Sequence, residues 1–199
     1  MPEDSGLRVG VLAIQGGFDA HLAMLRELGA EASEVRVPAD LEELDGLVIP
    51  GGESTTIVKG IESAGLERPI RSHHEEGRPV FGTCAGMIVC DGAHLGLIDA
   101  IARRNAFGRQ LQSFEADLEV KGIGEEPLRA VFIRAPWVES QGPEVEVLAS
   151  YEGHPVAIRE RSVLACAFHP ELSDDSRLHA LFMAMTTGVR RRAHEEAGT

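Results

Sequence analysis

The sequence predicts an α/β fold, a three-layer sandwich with a mostly parallel central sheet, helices on both faces and added antiparallel strands. Three observations predict it. Short, almost wholly apolar runs alternate with helical patterns through the first half of the 199 residues, the signature of a parallel sheet covered on both sides. From about residue 100 the apolar runs follow one another with few helical intervals, as antiparallel strands do. With 43% hydrophobic and 26% charged residues, the chain has the balance of a globular protein, long enough to bury one core as a single domain over 1–199.

The elements follow in order. Residues 9–14 read as a strand and the amphipathic stretch 18–28, closed by Gly29, as a helix. Strands are expected at 33–37 and 46–49. Pro50-Gly51-Gly52 then makes a turn into a helix that Ser54 or Thr55 would cap. A strand at 80–82 leads to Cys84 and another helix. Further strands are expected at 113–120, 128–133, 145–151, 156–159 and 163–168. A last amphipathic helix over 174–187 would stop at Gly188, leaving residues 190–199 as a loose tail.

Composition excludes several functions. A formal net charge of −13 repels a phosphate backbone, so nucleic acid is not an expected partner. The apolar run at 9–14 is too short for a signal segment or a membrane span, and a cytoplasmic protein is expected. Three cysteines, Cys84, Cys90 and Cys166, with no Cys-x-x-Cys pair, suggest neither disulfides nor zinc. Neither G-x-G-x-x-G nor a Walker loop occurs, which disfavours a dinucleotide or phosphate site.

The chemistry concentrates in three segments. Phe81-Gly82-Thr83-Cys84-Ala85-Gly86 sets a nucleophile between glycines at a strand-to-helix junction, the nucleophile-elbow pattern with Cys in place of Ser. Phe168-His169-Pro170-Glu171 supplies a base and, two positions on, a carboxylate that extended backbone would put on the same side. Ile49-Pro50-Gly51-Gly52-Glu53-Ser54 ends a strand in a glycine turn whose backbone N–H groups, with that of Ala85, suit an oxyanion. A free cysteine is usually a small buried hydrophobe, and a lone histidine usually sits on the surface or in a satisfied core. Cys84 and His169 escape that fate through the elbow and Glu171, whereas His73 and His74 are expected to face solvent.

These motifs, with Gly10-Val11-Leu12-Ala13-Ile14-Gln15-Gly16, Ser54-Thr55-Thr56, Arg104-Asn105-Ala106-Phe107-Gly108-Arg109-Gln110 and Phe132-Ile133-Arg134-Ala135-Pro136, resemble the class I (triad) glutamine amidotransferases. Within them the chain is most similar to the glutaminase subunits of pyridoxal 5′-phosphate synthases, and the likeness spans nearly its whole length. The resemblance implies a Cys84, His169, Glu171 triad that hydrolyses L-glutamine to glutamate and ammonia, with no metal or organic cofactor. It implies an oxyanion hole from Gly51, Gly52 and Ala85, and glutamine contacts from Gly52, Glu53, Ser54, Arg104, Ile133 and Arg134. It further implies a partner synthase subunit, which receives the ammonia to make pyridoxal 5′-phosphate from a pentose phosphate and a triose phosphate. One departure is the loop Cys90-Asp91-Gly92-Ala93, shorter than the family pattern. A γ-glutamyl hydrolase or another cysteine hydrolase on the same scaffold, and a catalytically silent binding subunit, are the competing expectations.

Overall fold

A computed structural model describes residues 6–108 and 113–197. Arg109 and Gln110 of the Arg-Asn-Ala-Phe-Gly-Arg-Gln segment lie outside the described residues.

The chain opens with β1 (Arg8–Leu12), α1 (Phe18–Glu27), β2 (Glu31–Val35) and β3 (Gly46–Ile49). It continues through α2 (Ser54–Ser63), α3 (Glu67–Glu75), β4 (Val80–Thr83) and α4 (Ala85–Cys90). Six strands follow: β5 (Ala100–Arg103), β6 (Ser113–Leu118), β7 (Leu128–Ile133), β8 (Trp137–Gln141), β9 (Glu146–Tyr151) and β10 (His154–Glu160). The chain ends with β11 (Val163–Cys166), a 3-10 turn Pro170–Leu172 and α5 (Arg177–Ala197).

Seven strands form the central sheet in the order β2-β1-β3-β4-β11-β10-β9. The first five pair in parallel, while β10 runs antiparallel to both neighbours. Every residue of β3, β4 and β11 is buried, which is why these strands are continuous apolar runs rather than alternating ones. Strand order reverses beside β1: the chain steps one way to β2 and then the other way to β3 and β4. Right-handed crossovers therefore send α1 to one face and the α2–α3 connection to the other. Two small antiparallel sheets, β5-β8 and β6-β7, are added to this frame.

Several sequence expectations are corrected. The second strand begins two residues earlier than expected, at Glu31, and strands β5 and β8 went unread because four or five residues with exposed positions give little periodicity. The cap of α2 is Glu53, not Ser54 or Thr55: its carboxylate accepts the Thr55 and Thr56 N–H groups. Gly188 does not stop the last helix, which runs on to Ala197, so residues 190–197 are helical rather than a loose tail. A glycine ends a helix where the chain must turn to positive φ. Gly188 is not among the positive-φ glycines, and Arg190 reaches back to the Gly6 carbonyl at 2.7 Å. His73 is buried at 3% exposure, its Nε2 3.4 Å from the Pro79 carbonyl, because α3 turns that side toward the sheet; His74 is half-buried.

Candidate active site

The site grows from the carboxyl ends of β1, β3, β4 and β11, around the point where strand order reverses and where α/β sheets open a crevice. Cys84 follows β4 with φ 49° and ψ −107°, a left-handed conformation that an L residue holds only when its surroundings enforce it. The flanking glycines provide that enforcement. A Cβ on Gly82 would lie 2.6 Å from the Gly86 oxygen, and one on Gly86 would lie 1.9 Å from the Ile49 oxygen. The tight turn thus presses α4 against the end of β3, and Cys84 N–H is anchored 2.8 Å from the Cys166 carbonyl.

His169 enters from the neighbouring strand. Thr83 is in register with Cys166, so the chain leaving β11 passes beside Cys84, and the His169 N–H bonds the Val131 carbonyl at 2.8 Å. The Pro170–Leu172 segment is a 3-10 turn, not the extended backbone expected. That turn brings the Glu171 Oε1 back to 2.7 Å from His169 Nδ1. With Nδ1 so engaged, Nε2 is the ring atom left for Cys84, whose Sγ lies 3.8 Å from the Ile133 carbonyl. Burial disfavours charge on His169, but its interactions with the Cys84 sulfur and the Glu171 carboxylate outweigh burial and raise its pKa to about 10. Glu171, whose side chain is 2% exposed, is likewise pushed up by burial, yet its bond to His169 and the neighbouring histidines hold it below the usual carboxylate value. The arrangement keeps a proton on the imidazole and a charge on the carboxylate.

The other two thiols differ. Cys90 and Cys166 are wholly buried, and burial drives both well above the ordinary thiol pKa. Cys84 instead opens on a cavity of about 260 Å³. The same cavity is lined by Gly52, Glu53, Ser54, Arg104, Ile133 and Arg134, so the six residues singled out for substrate contact, scattered over more than eighty positions, meet at one place.

Their roles are partly taken. The Glu53 carboxylate accepts from Thr55 N–H, Thr56 N–H and Arg104 Nη2 at 3.1, 2.8 and 2.8 Å. The Thr56 N–H above all lowers its pKa to about 2. A Glu53–Arg104 pair therefore forms one wall, with Arg104 also donating to Thr55 Oγ1. Arg134 and Asn105 both adopt positive φ, 43° and 47°, at the cavity rim.

The glycine turn is tied down on one side. Gly51 N–H donates to Thr83 Oγ1 at 3.1 Å and the Gly51 carbonyl accepts from Gly17 N–H at 3.1 Å. A planar trans peptide then turns the Gly52 N–H to the side opposite Gly17. Gly51 itself has no amide to spare. The Ala85 N–H stands at the first position of α4, where helical geometry provides no acceptor. The loop 90–93 is a compact turn around buried Asp91, which accepts from the Ala93 and Ala102 N–H groups.

Sequence reading missed three contributors. Gln15 lines the cavity and its Oε1 accepts the Glu53 N–H at 2.6 Å. His21 and His179, both wholly buried, lie behind His169 and Glu171 with tilted rings whose centroids are 5.1 Å apart. Of the three only Gln15, three residues beyond the end of β1, lay in a segment singled out in the sequence, Gly10 to Gly16.

This site and fold have clear relatives, and residues 11–188 match the SNO glutamine amidotransferase family. The chain belongs to that family. A relative from Streptomyces avermitilis, "Pyridoxal 5'-phosphate synthase subunit PdxT", is 53% identical over 92% of this chain and 95% of its own. Another of the same name from Shouchella clausii is 50% identical over 90% and 95%. A solved structure described as a glutamine amidotransferase superposes with a TM-score of 0.86 at 47% identity, over 90% of this chain and 98% of that one. A further structure, of a GMP synthase protein from Thermoplasma acidophilum, shares the fold with a TM-score of 0.76 at 19% identity, over 94% of this chain and 98% of that one. The class I glutamine amidotransferase fold expected from the sequence is the fold of this family member.

Proposed function

We propose that this glutamine amidotransferase is the glutaminase subunit of a pyridoxal 5′-phosphate synthase, with Cys84, His169 and Glu171 as its triad. The observation that carries the reading is the meeting of Cys84 with His169, itself bonded to Glu171 at 2.7 Å, in one cavity that Glu53 and Arg104 also line.

The Cys84 sulfur, its proton on His169, attacks the amide carbon of L-glutamine. The C=O electron pair moves onto oxygen, which the Gly52 and Ala85 N–H groups receive; Gly51 contributes the carbonyl half of the first peptide. His169 returns the proton to the leaving nitrogen as the C–N bond breaks and ammonia departs. Water, deprotonated by the same imidazole, then attacks the γ-glutamyl thioester, releasing glutamate and restoring the thiol. Glu171 orients the imidazole and offsets its positive charge throughout. Arg134 supplies a guanidinium for the α-carboxylate of glutamine, because Arg104 is already paired with Glu53; Ser54 and Ile133 complete the contacts.

The ammonia would pass to a synthase subunit in a cytoplasmic complex. No helix among the described residues is long and apolar enough to cross a membrane. Ammonia release from free glutamine, measured alone and with excess synthase subunit, tests the assignment. Faster release in the complex is expected, by on the order of 10²–10³ if the partner completes one oxyanion donor. A chain that cleaves γ-glutamyl conjugates but not glutamine refutes it.

A further inference from the structure

Behind Cys84 and His169 lies a buried polar knot of which the mechanism above uses only Glu171. His21 from α1, Thr83 at the end of β4, His179 from α5 and Glu171 meet where the apolar core would otherwise be continuous, each at 8% exposure or less. His21 Nδ1 lies 2.8 Å from His179 Nε2, and His21 Nε2 lies 3.1 Å from Thr83 Oγ1 and 3.3 Å from Glu171 Oε2. The contact with Oε2 is off-angle, an electrostatic approach rather than a full hydrogen bond, since that oxygen has no hydrogen-bond partner among the described residues.

These distances decide the tautomers. A bare Nε2 on His21 would set its lone pair against the ionised Glu171, so Nε2 carries the proton and Nδ1 accepts. His179 then donates from Nε2 and keeps a bare Nδ1, the atom that lacks a partner among the described residues. The reverse assignment would bury an unsatisfied N–H there as well as the repulsion at Glu171. Burial keeps both rings neutral, lowering His21 to about 4 and His179 to about 3. The chain of donors therefore has one direction: His179 to His21, and His21 to the Thr83 hydroxyl, with the same N–H facing the Glu171 carboxylate.

We propose that His21 is a positioning residue for the reaction: its Nε2–H, oriented by His179, donates to the Thr83 hydroxyl that seats Gly51 and faces the second oxygen of Glu171. One imidazole thus fixes two parts of the site. Glu171 receives His169 on Oε1 and faces His21 on Oε2, so each carboxylate oxygen meets one imidazole and rotation of the carboxylate would lose both approaches. Thr83 Oγ1 receives both His21 and the Gly51 N–H, so the peptide beside the oxyanion is held by the same ring.

The inference rests on the glutaminase reading, and paired amide substitutions test it. In His21→Gln the side-chain amide reaches the Nε2 position and can still donate to Glu171 and Thr83. In His21→Asn it reaches only the Nδ1 position, toward His179. Both variants keep one buried amide in the same knot. In the complex with a synthase subunit, His21→Asn should lose about 10–100-fold in kcat for glutamine with KM little changed, and His21→Gln should stay within about threefold of wild type. Stability to denaturant, measured in parallel, reports any folding loss, which a purely structural role would share between the two. Equal kcat losses in both variants, or a loss confined to KM or to stability, overturn the proposal. A wild-type complex that releases no ammonia would instead refute the glutaminase reading, so the two failures are distinct.

Discussion

Replacing Gly86 with Ala tests how the elbow geometry supports the chemistry. The added Cβ would sit 1.9 Å from the Ile49 oxygen and 2.9 Å from its carbon, about 1.5 Å short of ordinary van der Waals contact. The atoms it meets are backbone, so no rotamer change relieves the clash. Either α4 moves away from β3 or the end of β3 moves, and that strand leads directly into Pro50 and Gly51. Overpacking of this kind costs about 1–3 kcal/mol of stability, which a chain of this size can survive. Catalysis is less tolerant, because misplacing reacting groups by about 1 Å costs on the order of 10²-fold. Gly86→Ala should therefore fold yet lose at least about 10² in kcat, measured as ammonia released from saturating glutamine in the complex, with denaturant unfolding as the stability check. A folded Gly86→Ala protein with kcat within about threefold of wild type would refute the argument that close α4–β3 packing sets the position of Cys84.

Three further outcomes are expected. Cys84→Ala should abolish ammonia release while Cys90→Ala and Cys166→Ala keep most of it, and peptide mapping of a glutamine-like electrophile should find its adduct on Cys84 alone. Glu171→Gln should lower kcat by on the order of 10³–10⁴, the scale seen when a triad carboxylate becomes an amide; a wild-type kcat would reduce the triad to a Cys-His dyad. Stability should peak near pH 6.5 and fall on both sides. His21, His73 and His179 are lowered to about 4, 4 and 3, so below the ordinary histidine value the unfolded chain takes up protons the folded one refuses. Each such proton costs about 1.4 kcal/mol per pH unit. His169 is raised to about 10, so its contribution is complete below the ordinary value and is lost as pH rises toward 10. Denaturant unfolding across this range checks the profile, and a curve that rises from pH 6.5 down to 4 would contradict the burial of these rings.

The segments of the proposed triad stood out because each carries a local constraint. Gly82 and Gly86 flank Cys84 because the turn leaves no room for a Cβ at either position, and such a steric demand is written into neighbouring residues. The buried strands β3, β4 and β11 announced themselves because covering both faces requires apolar residues at every position. Short strands such as β8, with three of its five residues exposed, left no comparable trace. The cap on α2 was misassigned for a related reason: several neighbouring residues could serve, and Glu53 wins through its reach to two amides and its fixed partner Arg104.

What the sequence by itself determined is the alternation of buried strands and helices, the elbow at Cys84, and the pairing of a histidine with a nearby carboxylate. Only the tertiary structure decided which groups stand behind them. His21 and His179 are 158 positions apart, on helices whose own patterns mark them as ordinary buried faces, and no local spacing relates either to Glu171. They meet because α1 and α5 pack on the same side of the sheet. Arg104 is spent on Glu53 for the same reason, since the partner 51 positions away is supplied by folding. Local sterics act through sequence neighbours and can be read along the chain, whereas hydrogen bonds between buried side chains depend on which elements the fold brings together.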